Sequence, residues 1–178
     1  MLAIKAVLPV NAINDINERA ERIPPEDGLV RGADEAVKDI RSCQTRYIHF
    51  MLHKSLYMNI MNSIYPYVEY HQDVFDVSLY KKLEIQHVTY NIGDHYITHQ
   101  DIDIANRTAS SRRKISMVLM LSDRSEYEGG NLVIENKVFP LGKGDLVLFS
   151  PAHFHKVEQV TNGVRKCLVM WALGPHWK

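Results

Sequence analysis

Apolar and polar positions change their rhythm near residue 80. After His53, Leu56, Ile60, Met61, Ile64, Tyr67 and Val68 recur at helical spacing and form one apolar stripe, which predicts a helix packed on a sheet. Pro66 sits inside that stripe and predicts a kink or restart. From residue 84 the pattern becomes that of strands. Glu84–Asn91 carries Ile85, Val88 and Tyr90, and Lys114–Ser122 (KISMVLMLS) is a near-continuous apolar run of the length of a buried strand. Asn131–Ile134, Asp145–Phe149, His155–Gln159 and Arg165–Ala172 follow at short intervals. Turns are expected between them at Gly129-Gly130, Leu141–Gly144 and Thr161–Gly163. Before residue 50 the periodicity is weak. A short strand over Ala3–Leu8 is expected there, then irregular structure punctuated by Pro24-Pro25, Gly28 and Gly32.

Six or seven short strands with tight turns and one covering helix predict a mainly β fold with helical support, a sandwich or jelly roll. A chain of 178 residues suits one domain, divided into a supporting region (1–80) and a β core (84–175). Residues 102–113 (IDIANRTASSRR) are polar and aperiodic, and are expected to form a mobile loop that acts as a lid.

Charge narrows the partners. Lys and Arg balance Asp and Glu at 21 each, whereas a protein that binds phosphate backbones should carry a basic excess, so nucleic acid is not expected. Cys43 and Cys167 are far apart and suit reduced thiols rather than a zinc site or disulfide framework. Neither a signal-peptide core nor a membrane-spanning run is evident, so a soluble cytoplasmic protein is expected. Oligomeric state is not legible.

The fragment with most chemistry is Tyr96–Asp101 (YITHQD). On an extended strand His99 and Asp101 point to one face. With His155 from a later strand, two imidazoles and one carboxylate would leave coordination positions open, as non-haem Fe(II) oxygenases require. His153 shares the face of His155 by spacing and competes with it as third ligand. Arg165 opens the last strand, where a guanidinium can hold a carboxylate through two hydrogen bonds. His49, His53, His71 and His176 carry no ligand spacing; His87 should face away from Tyr90, and His95 reads as a packed polar residue. Trp171 is expected in the core, with lining of the pocket as the other possibility.

The stretches Tyr90–Asp101, Ser116–Ile134 and Gly144–Pro175 resemble the prolyl-4-hydroxylase-like branch of the Fe(II)/2-oxoglutarate dioxygenases, in order and spacing. The resemblance implies a double-stranded β-helix, with His99, Asp101 and His155 as iron ligands. It further implies Arg165 as partner of the distal carboxylate of 2-oxoglutarate, and Tyr90 as a lining of that pocket. Several family members have a tyrosine near Met120 that also grips the cosubstrate, so here the grip is expected to rest on Arg165 with other help. The implied reaction hydroxylates a prolyl or other peptidyl side chain, or a small molecule, using O₂ and releasing succinate and CO₂, with ascorbate as a supporting reductant. A cupin-like metal isomerase or a small-molecule-binding protein is the alternative, and it would have no need of Arg165.

Overall fold

The structure is a computed structural model that describes residues 1–28, 37–104 and 108–177. Strand β1 (Leu2–Ile4) leads into helix α1 (Val10–Glu21), followed by β2 (Glu26–Asp27), β3 (Arg41–Ser42), β4 (Gln44–Tyr47) and helix α2 (Lys54–Phe75). The rest is strand-rich: β5 (Leu83–Tyr90), β6 (His95–His99), β7 (Arg113–Met120), β8 (Tyr127–Gly129), β9 (Leu132–Ile134) and β10 (Lys137–Phe139). The last strands are β11 (Leu146–Phe149), β12 (His155–Val157), β13 (Val160–Gly163) and β14 (Arg165–Leu173).

Two antiparallel sheets face each other, as expected of a jelly roll. The larger runs β1-β11-β7-β14-β5-β4-β2 and the smaller β10-β9-β12-β6-β3. In the larger sheet, alternate residues serve two different cores. Leu83, Ile85, Ile115, Met117, Leu119, Leu168 and Met170 pack outward against Ile13, Ile16, Ile60 and Ile64 of the helices. Val88, Tyr90, Val118, Met120 and Cys167 point inward and meet Leu132, Ile134 and Val157 of the smaller sheet. His87 falls on the outward set, where its Nε2 lies 2.9 Å from Oδ1 of Asn17.

The structure corrects several expectations. Residues 10–21 are helical, not irregular, because Ile13, Ile16 and Ala20 form a narrow stripe fully buried against α2 and the sheet. Helix α2 buries the predicted stripe, and it continues through Pro66 without a restart. Strand β1 is shorter than foreseen and pairs with β11 at the sheet edge. Thr161–Gly163 is not a turn: it belongs to β13, which pairs with β8. Asp101 lies just beyond the end of β6, where its N–H donates to the carbonyl of Pro151 at 2.9 Å. Residues 105–107 of the expected mobile lid lie outside the described residues; of the remainder, Ile104, Thr108, Ala109 and Arg112 are exposed and the rest are buried or partly so. Ile102 and Asp103 are buried, Ala109–Arg112 form a 3₁₀ turn, and Arg112 Nε donates to His176 at 3.0 Å. Part of this polar run is thus tied down by internal partners.

Candidate metal centre

The facing sheets converge on a cavity of about 340 Å³ lined by His99, Asp101, His155, Tyr90, Arg165 and Trp171. The register places its parts. His155, on the central strand of the smaller sheet, is the cross-strand partner of His99 on β6. Arg165 and Trp171 lie on β14, the central strand of the larger sheet, with Arg165 opposite Tyr90 of β5.

One ligand atom from each of His99, Asp101 and His155 lies within 4.8 Å of the others. His99 Nε2 is 3.7 Å from Asp101 Oδ1, and His155 Nε2 is 3.3 Å from Asp101 Oδ2. Each ring has its other nitrogen on a backbone carbonyl, His99 Nδ1 on Ile97 at 2.8 Å and His155 Nδ1 on His153 at 2.9 Å. A proton on each Nδ1 satisfies those carbonyls and leaves both Nε2 lone pairs facing the carboxylate. His153 contributes its backbone carbonyl to this arrangement, and its imidazole is not part of the cluster.

Burial lowers the His99 pKa to about 4, and the neighbouring His155 adds to the effect. Burial alone would lower His155 as well, but the Asp101 carboxylate outweighs it and raises the value. Asp101 stays ionised far below the usual carboxylate range; burial opposes this, and His155 and His99 overcome it.

Residues not singled out from sequence complete the site. Ser116 Oγ on β7 donates to Asp101 Oδ2 at 2.7 Å, and Arg113 Nη1 donates to the Asp101 carbonyl at 3.3 Å. Arg113 also grips Glu84 at 2.6 and 3.2 Å and stacks 3.6 Å above the Trp171 ring. Arg41 is buried on the opposite wall, 4.9 Å over Tyr96 and 3.3 Å from Gln86 Oε1. Trp171 thus lines the cavity rather than only filling the core. Signals existed for Ser116 and Trp171, which share an inward face with Met120 and Arg165 by simple alternation; Arg41 sits in strands too short to show any.

Arg165 is 1% exposed. Its Nη1 donates to Cys167 Sγ at 3.2 Å and its Nη2 to Met120 Sδ at 3.5 Å, and its Nε finds no partner among the described residues. Sulfur atoms are weak acceptors, so a buried guanidinium whose hydrogen-bond acceptors among the described residues are sulfurs is prepared for an anion. Gly130 makes room for it: with φ of +55°, any Cβ there would sit 2.9 Å from both Arg165 Cδ and Val160 Cγ2.

Residues 85–173 match the model of the 2OG-Fe(II) oxygenase superfamily. The chain is 34% identical over 107 residues to a PKHD-type hydroxylase of Idiomarina loihiensis, an alignment covering 56% of this chain and 48% of that protein. The chain thus spans about half the length of that relative, and 39% of a second, from Aliarcobacter butzleri. Similarity to the PKHD-type hydroxylase YbiX of Shigella boydii extends over 96% of this chain and 77% of the relative, at 32% identity. Among solved structures, a Pseudomonas putida prolyl-4-hydroxylase aligns with a TM-score of 0.72 at 22% identity, covering 98% of this chain and 92% of the other. A Trichoplax adhaerens prolyl hydroxylase, in complex with a hypoxia inducible factor oxygen degradation domain peptide, aligns with a TM-score of 0.77 at 15% identity, covering 97% and 82%. At such identities these structures speak for the fold.

Proposed function

Because the chain belongs to the 2OG-Fe(II) oxygenase superfamily, we propose that it hydroxylates a peptidyl side chain, prolyl in the first instance, using Fe(II) and 2-oxoglutarate. The observation that carries this reading is the pairing of two unmet needs in one cavity. His99, Asp101 and His155 offer convergent donors to a divalent cation, and Arg165 offers a buried cation with an orphaned N–H to a carboxylate. A cupin-like isomerase explains the first need and leaves the second without a purpose.

The donor set fits iron. Two neutral imidazoles and one carboxylate suit Fe(II) and leave positions for other ligands. The thioether of Met120 cannot donate to a carboxylate, so binding of the distal end falls to Arg165. Tyr90 backs the guanidinium, with Arg165 Cζ 5.2 Å from its ring centroid. When bound, the metal supplies oxidative chemistry in which one oxygen atom of O₂ enters a substrate C–H bond as hydroxyl, while the other enters succinate as 2-oxoglutarate loses CO₂.

The chain's own residues position and exclude. The Nδ1 hydrogen bonds to the carbonyls of Ile97 and His153 fix the orientation of both rings and leave each Nε2 turned toward Asp101. Ser116 and Arg113 hold Asp101 from its side chain and its backbone. Phe149 meets the His155 ring edge-on at 4.8 Å and Tyr96 stacks on His99 at 3.6 Å, so apolar surface rather than water surrounds the ligands. Hydroxylation is supported by the relatives' designation as PKHD-type hydroxylases, and a peptide substrate by the peptide-bound Trichoplax structure.

The test is an anaerobic titration of the protein with Fe(II) and 2-oxoglutarate, read by the visible charge-transfer band of the chelate. The band should be present in the wild type, absent in His99→Ala and weakened in Arg165→Ala. A folded wild type that shows no band yet binds another metal tightly would overturn the oxygenase reading in favour of the cupin-like one.

A further inference from the structure

Arg165 and Cys167 stand two apart on β14, so both side chains enter the metal cavity from the same face of the strand. The Cys167 thiol is buried, and its Sγ accepts the Nη1–H of Arg165 at 3.2 Å. A distal carboxylate held by that guanidinium must take the same N–H away from sulfur. The fold thus sets an oxidisable atom against the group on which cosubstrate binding depends.

We propose that Cys167 is a modification site, where hydrogen peroxide converts the thiol to a sulfenic acid whose oxygen occupies Arg165 and closes the 2-oxoglutarate pocket. The proposal rests on the oxygenase reading above and adds to it a redox control of the same site. The step balances with peroxide alone. Sulfur attacks one peroxide oxygen, an S–O bond forms as the O–O bond breaks, and the departing hydroxide takes the thiol proton to leave as water. Sulfur is oxidised by two electrons and the peroxide reduced by two.

Three observations carry it. The first is access: Cys167 lines the cavity of about 340 Å³, and a cavity that serves O₂ chemistry admits a molecule as small as hydrogen peroxide. Cys43 lies outside that cavity, and Gly28 packs so near its Sγ that a Cβ there would come within 2.5 Å. The second is stabilisation of the product. Oxygen accepts hydrogen bonds far better than sulfur, and one bond beyond Sγ it remains beside Nη1. The neighbouring Nε is buried and has no partner among the described residues, so the oxidised state satisfies the guanidinium better than the thiol does. The third is the lack of a resolving thiol within reach. Cys43 immediately precedes β4, and β5 lies between β4 and β14. Two strand spacings are about 10 Å, beyond the ~7 Å across which cysteines can be bridged without moving the backbone. The sulfenic acid therefore persists until two equivalents of an external thiol return it to the thiol, releasing a disulfide and water.

The experiment treats the whole protein, loaded with redox-inert Zn(II), with hydrogen peroxide and then removes the peroxide with catalase. Unfolding in dimedone followed by peptide mass mapping should place the sulfenic acid at Cys167. Calorimetric titration should show 2-oxoglutarate affinity lowered at least about tenfold with Zn(II) content unchanged, and dithiothreitol should restore it. Cys167→Ala and Cys167→Ser, checked for folding by circular dichroism, should keep after peroxide whatever 2-oxoglutarate affinity they had before it. Cys43→Ala should lose affinity as the wild type does. Oxidation mapped to Cys43 or Met120 instead, a loss that persists in Cys167→Ala, or an oxidised wild type that binds as tightly as the reduced one would overturn the proposal. Reduced wild type that binds Zn(II) but no 2-oxoglutarate would overturn the oxygenase reading together with it, so the two failures are told apart before any peroxide is added.

Discussion

Ser116 on β7 donates its hydroxyl proton across 2.7 Å to Oδ2 of Asp101, which belongs to the connection leaving β6. The bond spans the two sheets. It ties the carboxylate of the candidate metal centre to a fully buried residue in the larger sheet, so the aim of Asp101 is set from outside its own strand. Ser116→Ala should therefore weaken Co(II) binding about 10–100-fold, the range for loss of a partner behind a metal ligand. Ser116→Thr, which keeps the hydroxyl, should recover most of it. Calorimetric titration of the metal-free protein checks this, and unchanged affinity in Ser116→Ala would refute the positioning role.

Among the described residues Arg165 has sulfur atoms alone as hydrogen-bond acceptors, so its removal should be felt mainly by an anionic ligand. Arg165→Lys keeps a charge and loses the planar pair of donors; 2-oxoglutarate affinity should fall by roughly 10-fold or more, with Co(II) affinity little altered. Equal losses of both affinities would mean that the variant disturbs the whole cavity.

Gly130→Ala tests the space behind that guanidinium. The added methyl meets Arg165 Cδ and Val160 Cγ2 at 2.9 Å on a backbone of positive φ. Stability should drop by about 1–3 kcal/mol, and 2-oxoglutarate binding should weaken alongside it as the arginine is displaced. Urea unfolding and a ligand titration on the same sample measure the two effects. A variant as stable as the wild type would show that β8 and β14 can separate cheaply.

His87 predicts a pH dependence independent of metal. It is buried on the outward face of β5 among Asn17, Glu21, Arg46 and Lys166, and burial lowers its pKa to about 4. The unfolded chain, with a value near 6.5, binds the proton first. Its contribution is therefore intact above pH ~6.5 and is lost as pH falls toward 4, at up to about 1.4 kcal/mol per pH unit. The metal-free His87→Gln variant should show a shallower decline over that window than the metal-free wild type. Parallel curves would assign the acid sensitivity to other groups.

The strongly patterned parts of the chain were legible without coordinates. The α2 stripe, the β5, β7, β11 and β14 strands and the His99–Asp101 spacing all carry their own periodicity, and the last stretches of chain matched a family in order. The failures have physical causes. Helix α1 has only Ile13, Ile16 and Ala20 as buried positions in an otherwise polar segment, and tertiary burial rather than pattern makes it a helix. The polar run after Asp101 looked unstructured, yet Ser111 and Arg112 are bonded to His176, a contact 64 or 65 residues away that no local window can register. Ser116 was hidden in an apolar run, because which alternate residues face the cavity depends on how the two sheets close.

That alternation divides labour within single strands. On β5, β7 and β14 one set of residues meets the helices while the other faces the chemistry, so neighbours along the chain answer to different selective demands. The cavity could be reshaped at Val169 without disturbing Ile85, Leu168 or Met170, whose packing keeps the molecule folded. One backbone thus carries a packed face that keeps the molecule folded and a cavity face whose side chains are free of that duty.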